Sequence, residues 1–139
     1  MRGASVFRVE VSVACVLAGT ACAPLQGSSC HSNEQLALQD SLYFGTAMPD
    51  GLVTSEQWAR FLELTVTPKF PQGLTVSKAS GQWRGADGSI VRESTHVLHL
   101  VHPNDTQSEN AVAEIVASYK RQFRQEAVLR VKASTCVSF

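Results

Sequence analysis

The sequence predicts an α+β domain of the ferredoxin-like kind, with elements in the order β-α-β-β-α-β. Its four-stranded antiparallel sheet takes the spatial order 4-1-3-2, with both helices on one face. Three observations carry that prediction. Four segments repeat apolar residues with period two and two repeat them with helical spacing. Both helical segments open on a capping pattern, Thr54-x-x-Gln57 and Thr106-x-x-Glu109. Two cysteines, Cys30 and Cys136, flank the first strand and end the last, which this strand order makes antiparallel neighbours.

The elements follow in turn. Leu36–Gly45 reads as a strand, with Leu36, Leu38, Leu42 and Phe44 on one face and Asp40 interrupting them. Met48–Gly51 ("MPDG") is a turn signal. Behind Thr54, the residues Trp58, Phe61, Leu62 and Thr65 stand at helical spacing, and Pro68 bounds that helix. Leu74–Trp83 is a second strand, joined through the Gly-rich Arg84–Ser89 to a third, Ile90–His102. Val112, Ile115, Val116, Tyr119 and Phe123 then form one apolar helical stripe, with Lys120, Arg121 and Arg124 near its end, where cations favour the dipole. Ala127–Val137 is the last strand.

The N-terminal residues stand apart from the domain. Arg2 and Arg8 precede an apolar run from Val11 to Ala21, long enough for a signal h-region and short for a bilayer span. Gly19-Thr20-Ala21 before Cys22 resembles a lipoprotein cleavage site, and Ala21-Cys22-Ala23 offers a plain-secretion alternative. The expected organisation is a signal and lipobox over 1–22, a tether over 23–33 and one domain over 34–139. Cys15 leaves with the signal and Cys22 carries lipid. Cys30 and Cys136 remain as one pair, fit for an oxidising compartment. The expected location is the periplasmic side of the envelope, with the membrane reached only through the lipid on Cys22.

Charge excludes other partners. Twelve basic residues balance 12 acidic ones, which gives no electrostatic case for nucleic acid. The stretch "STHVLHLVHP" (Ser94–Pro103) spaces His96, His99 and His102 three apart. Three histidines are a common zinc set. On a strand, however, side chains alternate faces, so His99 points away from the other two. His96 and His102 then stand about 20 Å apart at about 3.3 Å per residue. No metal site is expected from them. Gly85 and Gly88 lack the Gly-Lys-Ser/Thr of a phosphate loop, no serine sits in a G-x-S-x-G setting, and no cofactor is implied.

The sheet face away from the helices carries the functional expectation. With Leu38, Leu42, Phe44, Leu98, Leu100, Leu129 and Val131 toward the helices, alternation sends out Tyr43, Val97, His99, Val101, Arg130 and Lys132, with Trp83 from the second strand. Three readings fit: an ordinary solvated face, a homodimer contact of sheet against sheet, or a small-molecule pocket lined by Tyr43, Trp83, His99 and Arg130. Val97 and Val101 favour a covered face, since antiparallel sheets normally show polar residues to water.

Five segments carry a family resemblance: Leu42–Gly45 ("LYFG"), Trp58–Leu62 ("W..FL"), Val66–Val76 ("VTPKFPQGLTV"), Gly81–Ser94 ("GQWRGADGSIVRES") and Val128–Phe139 ("VLRVKASTCVSF"). In that order they resemble the bacterial domain-of-unknown-function family numbered 3574, small envelope proteins often predicted to be lipoproteins. The resemblance implies no activity, cofactor or catalytic residue. One departure is visible: Gln39, Asp40 and Ser41 stand where similar proteins carry an Arg-x-Glu-like pair. The leading expectation is a non-catalytic binding or interaction module of the envelope. The alternative is a small cofactor-free enzyme with its pocket over the open sheet face.

Overall fold

The computed structural model describes residues 30–139. The expected signal region, Cys22 and the expected tether through residue 29 lie outside them. Strand β1 (Gln35–Gly45) is followed by the two-residue strands β2 (Ala47–Met48) and β3 (Gly51–Leu52), which pair as a small hairpin. Helix α1 (Ser55–Phe61) runs on into a π-helical turn at Leu62–Val66. Strands β4 (Thr75–Arg84) and β5 (Ile90–His102), helix α2 (Thr106–Phe123) and strand β6 (Leu129–Val137) complete the chain. The sheet runs β6-β1-β5-β4, antiparallel throughout. With the two short strands left out of the count, that order reads 4-1-3-2 along the chain. The hairpin and the π turn are additions that the apolar pattern does not signal.

The helix starts follow from local chemistry. At α1 the capping box forms in full: the Gln57 amide donates to Thr54 Oγ1 at 3.2 Å, and the Thr54 amide to Gln57 Oε1 at 2.8 Å. At α2 the cap falls one residue earlier than the Thr106/Glu109 pattern predicts. Asp105 accepts the Ser108 amide at 2.7 Å. A carboxylate at this position answers both the free amides and the positive end of the dipole. Glu109 is thereby left free for cations on the sheet.

Even-numbered residues of β1 and β5 face the helices. Leu42, Phe44, Leu98 and Leu100 meet Trp58, Phe61 and Val66 from the α1 region and Val112, Ile115, Tyr119 and Phe123 from α2. Phe44 sits within aromatic contact of Trp58, Phe61 and Tyr119, with ring centroids 5.3, 6.1 and 4.6 Å away. The Tyr119 hydroxyl donates to the Gly45 carbonyl at 2.9 Å, so this buried polar tip is satisfied.

The chain ends meet at a disulfide. Leu36 of β1 is opposite Cys136 of β6, and Cys30, just ahead of β1, bonds Cys136 with Cα atoms 5.6 Å apart. Cys30–Asn33, assigned to the tether by composition, leads into β1 through a turn in which the Glu34 amide donates to the His31 carbonyl at 3.0 Å.

Candidate functional site

Register places the site residues. Leu42 of β1 is opposite Arg130 of β6, and Asp40 is opposite Lys132. Residues opposite one another share a face. Arg130 and Lys132 therefore stand on the helix side, and Leu129 and Val131 on the open side, 61% and 49% exposed. This reverses the expected phase of the last strand. The physical reason is Asp40. It lies within the core face of β1 and is 0% exposed. A buried carboxylate without a partner is costly, and β6 supplies the partner by turning its cations inward.

The resulting network is well bonded. Arg130 donates from Nε to Asp40 Oδ1 at 2.7 Å and from Nη2 to Asp40 Oδ2 at 2.6 Å. Nη2 also reaches Glu109 Oε1 at 3.1 Å, and Lys132 Nζ donates to the same oxygen at 3.1 Å. His102, also buried, stands 2.8 Å from Asp40 Oδ2 through Nε2 and 2.8 Å from the Pro103 carbonyl through Nδ1. Both ring nitrogens are thus within hydrogen-bond distance of an oxygen. Burial pushes the Asp40 carboxyl up. The hydrogen bonds and charges of Arg130 and His102 together outweigh it and hold the group below the usual carboxylate value. Asp40, His102 and Glu109 bring ligand-type atoms within 4.8 Å of one another. The guanidinium of Arg130 bridges the two carboxylates, so a cation already fills that position.

The open face has the opposite character. Opposite Ser41 stand His99 of β5 and Val131 of β6, and opposite Tyr43 stand Val97 and Leu129. Opposite Gln39 stand Val101 and Ala133, and β4 adds Thr75 and Ser77. None of these is charged. Val101 is 47% exposed. The Ser41 hydroxyl and His99 Nδ1 lie 3.0 Å apart.

The four residues proposed from sequence as a pocket are not brought together. Tyr43 and His99 are diagonal neighbours on the open face. Trp83 is also on that side, but it lies eight residues along β4 from Thr75, the partner of His99, which is about 26 Å at about 3.3 Å per residue. Arg130 is on the other face. Trp83 instead donates its indole N–H to Glu93 Oε1 at 2.9 Å, and the Ala47 amide donates to Glu93 Oε2 at 2.8 Å. Gly45 makes room for this carboxylate, since a Cβ there would lie 2.5 Å from Glu93 Oε1. His96 and His102 face the helices and His99 faces outward, so the three do not converge. Cys22 lies outside the described residues.

Fold and site define a small α+β domain of ferredoxin-like architecture, with an ionic network under the sheet and an uncharged patch over it. The chain belongs to the family described as Protein of unknown function (DUF3574), whose model matches residues 39–139. No curated protein is a match for it. Among solved structures it is similar to a phage SAM lyase in complex with S-methyl-5'-thioadenosine, at 11% identity over 74% of this chain and 90% of that one, with a TM-score of 0.56. It is also similar to CutA from Synechococcus elongatus, at 11% identity over 76% of this chain and 83% of that one, with a TM-score of 0.51. At such identities the likeness is one of fold.

Proposed function

We propose that this protein is an interaction module of the bacterial envelope, exported, held to the membrane by lipid on Cys22, and joined to a second copy of itself through the open sheet face. One observation carries the reading: the central part of that face holds no charged side chain, although the chain has 12 basic and 12 acidic residues. Loss of charge from a patch's centre, with aliphatic and aromatic groups in its place, is what distinguishes interfaces from ordinary surface. Leu129, Val131, Val101 and Tyr43 supply the apolar area, and Ser41, Gln39 and His99 the polar remainder. A self-complementary patch of this kind suits a two-fold dimer. The inward turn of Arg130 and Lys132 strengthens the case, because it removes the two cations that alternation from Leu129 had assigned to the patch. The test is light scattering of the purified full chain in detergent, beside a Val131→Lys variant. A dimer that becomes a monomer in the variant supports the reading; a monomer in both sinks it.

A second reading, a small cofactor-free enzyme, has the Ser41–His99 contact in its favour. A hydroxyl beside an imidazole is the first half of a nucleophilic site. Among the described residues no carboxylate bonds His99 to orient it. Hydrolysis of an activated ester that disappears in Ser41→Ala would support this reading, and equal rates in both proteins would remove it.

A further inference from the structure

The helix side of the sheet is not fully covered. Helices α1 and α2 pack over β1 and β5 as far as His96, which stacks on Trp58, while β4 is exposed along nearly all its length. There the loop from β1 to α1 folds back and closes a cleft of about 380 Å³, open on one side. That volume is within the range of small-molecule sites. Its polar lining includes Lys78, His96, Thr46, Ser55, Ser94 and Thr95, and the β1–α1 loop adds Leu52 and Val53.

His96 makes the cleft more than a surface dent. It is only 6% exposed. One face of its ring is stacked on Trp58, with centroids 4.4 Å apart and planes 3° from parallel. The ring is therefore fixed in orientation. Its nitrogens bond to no other side chain or backbone group among the described residues. No described buried side-chain nitrogen or oxygen is both unpartnered and sealed from solvent. The nitrogens of His96 are thus in reach of solvent, and the residue lines the cleft. A side chain this buried, its ring held by Trp58 and its nitrogens without a protein partner, is placed to bond a ligand that displaces water from the cleft.

Charge defines the ligand. Lys78 lies directly across from His96 in the β4–β5 register, on the same face. Its ammonium has no acidic partner among the described residues, and no acidic side chain lines the cleft. Burial and the nearby Lys78 charge both hold the His96 imidazole below its ordinary pKa. The neutral ring then offers one donor and one acceptor. Thr46 is already committed, since its hydroxyl donates to the Ser94 carbonyl at 2.9 Å. The hydroxyls of Ser55, Ser80 and Ser94 bond to no other side chain among the described residues. We propose that this cleft binds a small organic molecule bearing an oxyanion, carboxylate or phosphate, with the anion on Lys78 and a polar group of the molecule on His96. The site is on the opposite side of the sheet from the self-association patch and stands independently of it.

The test titrates the full chain in detergent with inorganic phosphate and, separately, with acetate. The readout is the NMR signals of the His96 ring, assigned by their loss in His96→Gln. Saturating shifts with either anion are expected. Lys78→Gln should weaken that binding about tenfold or more, the scale of one lost charge-assisted hydrogen bond. Lys120→Gln, outside the cleft lining, should leave it unchanged. His96→Phe keeps the stack on Trp58 and should weaken binding without unfolding the domain. Shifts that rise linearly without saturation, or equal affinity in Lys78→Gln and the native chain, would overturn the proposal. Whichever anion saturates at lower concentration identifies the oxyanion.

Discussion

The two faces of one sheet are built on opposite rules. The helix side takes in Asp40, His102 and Arg130 among its aliphatic residues and bonds every one of them. The open side puts Leu129, Val131 and Val101 toward water and holds no charge in its centre. In β6 the cations point inward and the apolar residues outward, the reverse of what burial of single residues would favour. The difference teaches that the phase of a strand is set by the group with the most to lose. An unpaired buried carboxylate loses more than two exposed aliphatic side chains do.

The largest break should come from detaching β6, which carries both patterns. Cys136→Ser removes a cross-link spanning 106 residues, and chain entropy alone puts the loss at roughly 4–5 kcal/mol, less any strain. Urea unfolding of the oxidised native chain and the variant measures it. Next is Asp40→Ala, which leaves Arg130 and His102 without their shared anion. Breaking a buried pair from one side costs about 3–5 kcal/mol. Adding Arg130→Met to that variant should recover part of the loss, a coupling that a double-mutant cycle reads directly.

Acid sharpens the same contrast without mutation. The carboxyls of Asp40 and Glu109 are held below their ordinary values, Asp40 by Arg130 and His102 against the upward push of burial, Glu109 by Lys132 and Arg130. Groups lowered in the folded state add stability that is fully present above their unfolded pKa values. That stability drains as pH falls below the ordinary carboxylate values of 3.8 and 4.5 and through the folded ones. Thermal melts of the native chain should show this loss, and Asp40→Ala should show less of it. Smaller is Gly45→Ala, whose Cβ displaces the Glu93 carboxylate from Trp83 and Ala47, at about 1–3 kcal/mol for overpacking; a shift in Trp83 fluorescence would report it. Smallest in stability is Val131→Lys, within about 0.5 kcal/mol for the folded monomer, although association should be lost. The helix face thus answers to stability measurements, and the open face, as proposed, to assembly.

Much of the fold was legible in the sequence because periodicity survives without tertiary knowledge. The four long strands, the two helices, the Thr54 cap and the meeting of Cys30 with Cys136 all follow from local pattern and strand order. The phase of β6 was misread because Leu129 and Val131 are the stronger apolar signal within the segment. The corrective clue was in another strand: Asp40, noted as an interruption, required a cation from a neighbour, and only even positions of β6 could deliver one. The cap of α2 slipped by one residue because Asp105 and Thr106 both cap well. The cleft around His96 had no signature, since it depends on the path of the Thr46–Ser55 loop, and loop paths leave no periodic trace. Trp83 was assigned to a pocket by face alone, and face says nothing of distance along the strand.

The Cys30–Cys136 bond also has a mechanical meaning. The polypeptide that precedes Cys30 enters the domain at a covalent fork. Tension arriving from that side divides between β1, held on both flanks by neighbours, and β6, the strand alongside it. A pull that would otherwise peel one strand end must drag two crosslinked strands at once.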